Sequence, residues 1–192
     1  MSAVSIADAW PATGRPFTVA DLDRIPDDGR RYELLAGVLV VSPRPTPAHQ
    51  VVAFTLASVL AQACPDAWQV VPEPAVLVGP DTELVPDIVV AGRDQLAGAK
   101  ITEPPALVAE VRSPSTALID LNRKKAAYER FGVGSYWVIV PESAKPELIV
   151  FELSGGRYRE AAHVSGDEAF AANRPFRVRV VPSQLVAGLR PA

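Results

Sequence analysis

Two apolar segments each carry one carboxylate that does not belong in them. LVPDIVVAG (residues 84–92) and ALVAEVR (residues 106–112) are runs of Val, Leu and Ile bounded by proline or glycine, which read as strands buried on both faces. Asp87 is expected mid-strand in the first and Glu110 in the second. An ionised carboxylate taken out of water without a partner costs enough that it takes up a proton or recruits a cation. A fold that keeps both strands central must therefore bring something positive to them.

The segment from Thr116 to Phe131 supplies a candidate. Thr116 is suited to cap a helix, and Gly132 follows Phe131 where a left-handed residue ends one. At about 100° per residue, Ala117, Leu121, Tyr128 and Phe131 share one arc with Lys124 in its middle, while Arg123 and Arg130 face the other way and Lys125 lies near the edge. Lys124 is expected to point inward. The plain reading of these residues is a structural ion pair between Lys124 and Asp87 or Glu110. The functional reading is that the surplus negative charge of the two carboxylates, on adjacent strands, is a platform for a divalent cation held by oxygen ligands.

The rest of the chain bounds what that platform can serve. With 192 residues, 48% hydrophobic and 21% charged, the chain is expected to form a single domain over residues 16–192, preceded by a flexible arm over residues 1–15. One cysteine, Cys64, and two histidines exclude an internal disulfide and a zinc-finger cluster. No apolar run reaches the roughly 18 residues of a membrane span, and the start lacks a signal-like pattern, so a cytoplasmic protein without membrane partners is expected. A net charge of -3 and a pI near 5.4 argue against general electrostatic coating of duplex DNA.

Along the chain, Thr18 with Asp21 has capping-box-like spacing before a short helix to about Ile25, and Arg31 to Val41 reads as two strands around Ala36-Gly37. Thr46 and Pro47 start a helix to about Cys64, stopped by Pro65, with His49, Val52, Leu56, Val59 and Ala63 on its inward face. Strands are expected over Trp68 to Val78, Leu84 to Ala91, Ala106 to Arg112, Tyr136 to Val140, Glu147 to Leu153 and Tyr158 to Ala162, the last two joined at Ser154-Gly155-Gly156. Phe176 to Val180 reads as an edge strand and Pro182 to Val186 as a final helical turn. The expected class is α/β, or α+β with a mixed sheet flanked by helices.

Pro86-Asp87 followed later by Glu110-Val111-Arg112 resembles the PD-(D/E)xK nuclease motif. A wider pattern is more specific: YELLAG from Tyr32, Ser42-Pro43 before His49, VPDIVV, VAEVRSPST from Val108, then Asp120-Leu121, Lys124, Tyr128 and GVGSYWVIVP from Gly132. In order and spacing this is similar to the Uma2 endonuclease family, also called DUF820, over about Phe17 to Tyr158. The resemblance implies a restriction-endonuclease-like core and a Mg²⁺-dependent endonuclease of nucleic acid, DNA favoured, with Mn²⁺ as a substitute. It implies that Asp87, Glu110 and the Val111 backbone carbonyl hold the metal and that Lys124 orients the attacking water. The motif's third position is Arg112 rather than lysine, and in similar proteins the following helix supplies the lysine, as Lys124 would here.

Glu33 and His49 match the N-terminal part of the pattern and are expected as second-metal or substrate contacts, although Glu33 also fits an exposed strand position. Arg112 would contact the scissile phosphate or pair with Glu110, Asp120 would orient the lysine, and Tyr128 reads as core. Apolar hairpin edges near Phe151 and Tyr158 would support a homodimer. The main alternative is an inactive binding or assembly module that keeps the nuclease fold around a structural ion pair. A phosphodiesterase of small nucleotides would suit the acidic pI.

Overall fold

The computed structural model describes residues 14–26, 28–112, 119–142 and 144–189. The expected arm lies, for residues 1–13, outside the described residues, as does the Thr116 cap. Its frame is a six-stranded sheet in the order β10-β9-β8-β7-β6-β3, formed by Arg157–Ser165, Glu147–Ser154, Ser135–Val140, Leu107–Val111, Ile88–Gly92 and Trp68–Pro72. Only β7 and β8 run parallel; the other neighbours are antiparallel, so the sheet is mixed. A second sheet, β2-β1-β5-β4, joins Val38–Ser42, Arg31–Leu35, Thr82–Leu84 and Val76–Gly79.

The β1-β2 hairpin turns on Ala36 and Gly37, at φ 50° and 74°, the left-handed pair that a two-residue turn matched to strand twist requires. Two expected strands are each broken. Trp68 to Val78 splits at Glu73-Pro74 into β3 and β4, which belong to different sheets, and Leu84 to Ala91 splits at Val85-Pro86-Asp87 into β5 and β6. Proline has no amide hydrogen for a ladder, so each break falls beside one. Asp87 is consequently not mid-strand; it immediately precedes β6.

Beyond the short α1 (Val19–Leu22), helices cover both faces of the large sheet. On one face α2 (Pro47–Ala63), whose N-cap Thr46 accepts from the His49 amide at 3.2 Å, buries Val52, Leu56 and Leu60 completely against Ile88, Val90, Leu107, Ala109 and Val111. Each such side chain contributes about 2 kcal/mol. Leu60 joins the expected stripe, with Val59 and Ala63 partly buried against the same cluster. A two-stranded ribbon of β11 (Phe170–Ala172) with β12 (Val178–Val180), and a short helix over Pro182–Leu185, close this side. The expected edge strand near Phe176 is thus part of a separate hairpin, not of the main sheet.

The other face carries the second sheet and a helix over Lys125–Phe131, α3, preceded by a wider, π-helical stretch over Ile119–Lys124. Ala127, Tyr128 and Tyr136 are fully buried here with Leu84, Val89 and Val108. Gly132 ends α3 at φ 98°, its amide donating to the Tyr128 carbonyl at 3.0 Å. Phe151 and Tyr158 stack on Tyr136 at 6.2 and 6.1 Å, and the Lys125 ammonium lies 3.6 Å above the Phe151 ring. Phe151 is 7% exposed and Tyr158 is partly buried against the same cluster, so both rings pack toward the core.

Candidate active site

Strand pairing decides where the two carboxylates meet. Ile88 pairs with Ala109 across β6 and β7, and continuing that antiparallel register by one residue sets Asp87 opposite Glu110 at the end of the sheet. The first turn of α2 and the start of α3 reach the same end. Glu110 shares its face with Val108, the side on which α3 packs. Asp87 and Glu110 are each 3% exposed, and Lys124 is 4% exposed.

Each buried charge has named partners. The Lys124 ammonium lies 3.0 Å from Glu110 Oε1 and 3.0 Å from Glu33 Oε1. The Tyr128 hydroxyl donates to the same Glu110 oxygen at 3.1 Å, so Tyr128 is both core and a carboxylate partner; burial beside the Glu110 charge holds its phenol well above the ordinary value. Glu33 is 2% exposed and accepts from the Val85 amide at 2.8 Å, which settles its position: it is not on an exposed strand face.

Around Asp87, Oδ2 accepts from the Val111 amide at 2.7 Å and lies 3.3 Å from His49 Nε2, which is also 3.1 Å from the Val111 carbonyl oxygen. Oδ1 lies 3.2 Å from Arg31 Nη1. The other Arg31 terminal nitrogen donates to the Val85 carbonyl. Burial resists the charged imidazole, but the hydrogen bond to Asp87 and its charge prevail and hold His49 above the usual histidine value. Burial likewise opposes the Asp87 charge, and His49 together with Arg31 overcomes it, keeping that carboxyl below the ordinary range.

Arg31, Glu33, His49, Asp87, Glu110 and Lys124 line an open cavity of about 270 Å³ whose wall also includes Arg44 and Arg112. Arg112 is partly exposed, and the carboxylate paired with it is that of exposed Glu142, at 3.6 Å. The side chain of Asp120 lies outside the described residues. Arg31 is the residue the sequence pattern missed. It stands two positions before Glu33 on one strand face, a spacing that was the only signal for it.

The oxygens of Asp87, Glu110, Glu33 and Val111 are hard donors of the kind Mg²⁺ takes. In the arrangement described, Arg31 and Lys124 supply the positive charge, and among the described residues no three acidic, histidine or cysteine side chains converge as a coordination cluster. The donor chemistry fits the ion; receiving it requires the Arg31 guanidinium or the Lys124 ammonium to yield its place beside the carboxylates.

A mixed sheet with helices on both faces, ending in paired carboxylates and an inward lysine, has the architecture of a nuclease-like fold. The family model for Uma2, described as "Putative restriction endonuclease", matches residues 19–181, and the chain belongs to that family. Its fold is similar to the crystal structure of a "putative nuclease belonging to DUF820" from Anabaena variabilis, with a TM-score of 0.72 and 17% identity over 89% of this chain and 98% of that one. No curated protein matches the sequence. No described helix is long and apolar enough to cross a membrane.

Proposed function

We propose that the protein is a cytoplasmic, Mg²⁺-dependent endonuclease that hydrolyses phosphodiester bonds of nucleic acid, DNA in preference to RNA, with Mn²⁺ able to replace Mg²⁺. The observation that carries this reading is that Asp87, Glu110, Glu33 and Lys124 line one cavity together with Arg31, Arg44 and Arg112. Asp87, Glu110 and the Val111 carbonyl would hold the ion, with Glu33 beside them. When bound, it would polarise the phosphate and lower the pKa of the attacking water.

The chain's own residues do the rest. Lys124, held between Glu33 and Glu110, orients the attacking water toward phosphorus. Arg31 and Arg112 hold phosphate oxygens, a task that suits the planar guanidinium. His49 keeps Asp87 charged and fixed against the Val111 backbone. Tyr128 donates its hydroxyl hydrogen to the same Glu110 oxygen that Lys124 contacts.

One observation favours the inactive module instead: Arg31 and Lys124, with His49 when protonated, already balance Glu33, Asp87 and Glu110. Calorimetric titration of Mg²⁺ and Mn²⁺ into wild type and Asp87→Ala, with parallel incubation on circular, linear and single-stranded DNA and on RNA, separates the two. Metal binding and cutting that both disappear in Asp87→Ala are expected. A wild type that neither binds a divalent ion at millimolar concentration nor cuts makes the charges structural.

A further inference from the structure

A second cavity, about 360 Å³, opens between α2 and the edge strand β3 and adjoins the first: Pro45, His49 and Asp87 line both. Its character is different. Ala53, Ala57 and Ala61 recur along the helix side, Val70 and Pro72 form the strand side, and Phe54, 75% exposed, stands in its wall. Among the described residues no lysine or arginine lines it, whereas Arg31, Arg44, Arg112 and Lys124 line its neighbour.

That division of chemistry matches the two parts of a nucleotide. The phosphodiester belongs with the arginines; Asp87 and Glu73 at the apolar groove would repel a second phosphate. An uncharged aromatic base beside the reacting phosphate has no such penalty. Phe54 offers it a ring to stack on, and the Gln50 amide and Glu73 carboxylate offer hydrogen-bond partners for its polar edge. Glu73 is fixed there by its amide, which donates to the Asp87 carbonyl at 3.1 Å, and by Arg31 at 3.5 Å.

We propose that this groove is a base-binding subsite and that the substrate is therefore nucleic acid with an unpaired nucleotide next to the scissile phosphodiester. A base inside a duplex is stacked on both sides and must leave the helix to enter such a slot. Single-stranded or locally opened nucleic acid meets that condition without the cost of unpairing. The proposal rests on the nuclease reading above and goes beyond it by fixing the state of the strand.

The test measures anisotropy of labelled single-stranded and duplex oligonucleotides with the full chain in Ca²⁺, together with cleavage in Mg²⁺, for wild type, Phe54→Ala and Phe54→Trp. Wild type prefers the single strand, Phe54→Ala binds it about tenfold more weakly, and Phe54→Trp recovers it. One abasic residue, moved along the strand, reproduces the loss at a single position in wild type and adds nothing in Phe54→Ala. Binding and cutting that are indifferent to Phe54, or a preference for duplex, overturn the subsite and leave the nuclease reading intact. Absence of both binding and cutting overturns the two together. A change of oligomeric mass in Phe54→Ala with strand binding unchanged assigns the groove to a second copy of the chain and overturns the subsite as well.

Discussion

Arg31 Nη1 lies 3.2 Å from Asp87 Oδ1, on the carboxylate proposed above to hold a metal. Burial opposes the Arg31 charge, but Glu33, Glu110 and Asp87 raise its pKa still further, so it stays a cation at any accessible pH. A guanidinium in that place competes with a dication for the same oxygens. Arg31→Met is expected to lower the melting temperature of the metal-free protein while tightening Mn²⁺ binding about tenfold, or 1.4 kcal/mol. Calorimetry in parallel with thermal melting in EDTA checks both directions. Unchanged affinity would mean that Arg31 leaves the carboxylate at no cost.

Lys124 joins Glu33 and Glu110, so removing its charge strands two buried carboxylates. Lys124→Met is expected to cost about 3–5 kcal/mol in denaturant unfolding. Adding Glu110→Gln recovers part of that stability, because the remaining buried charge is smaller, while cleavage stays lost in both variants. Full stability in Lys124→Met would show that the pairs at 3.0 Å contribute nothing net.

The His49 pair with Asp87 gives stability a pH dependence of definite sign. A histidine held above its unfolded value of about 6.5 binds its proton more tightly in the folded state, so its contribution is complete below that value and fades as pH rises through the elevated one. Melting temperature in EDTA should fall over that upper window in wild type, and His49→Gln should flatten the slope. The lowered Asp87 value acts at the other end: its contribution, present above about 3.8, is lost as the solution is acidified through the lowered value. An identical slope in His49→Gln would assign the upper window to another group.

Ala36 occupies the first position of the β1-β2 turn at φ 50° without the local hydrogen bonding that lets asparagine adopt it. Ala36→Asn should recover part of the roughly 1–2 kcal/mol that a left-handed residue costs. Its side chain is exposed and lines neither cavity, so cleavage rates should not move. A lower melting temperature would show that the side chain at this turn does more than set its backbone.

Periodicity alone made part of this site legible. Asp87 and Glu110 break apolar runs, and Lys124 lies on the arc that contains Tyr128, so their burial follows from patterns that operate over a few residues. Glu33 and Arg31 could not be placed that way. RYELL reads equally well as the polar face of an exposed hairpin, and only the pairing of Leu34 with Glu83, which docks β1 beside β5, turns Glu33 toward Lys124 and Arg31 toward Asp87. The breaks beside Pro74 and Pro86 show the same limit. The sequence marks where a ladder fails, but the assignment of the separated strands to two sheets depends on contacts distant in the chain. Phe54 lies outside the buried stripe of α2, and its sequence position says only that it faces away from Leu56 and Leu60. What the sequence by itself determined was which charges had to be buried; which opposite charges met them, and which aromatic ring was left beside them, was decided by the tertiary docking of strands and helices, because ion pairing and exposure depend on distances that local pattern does not contain.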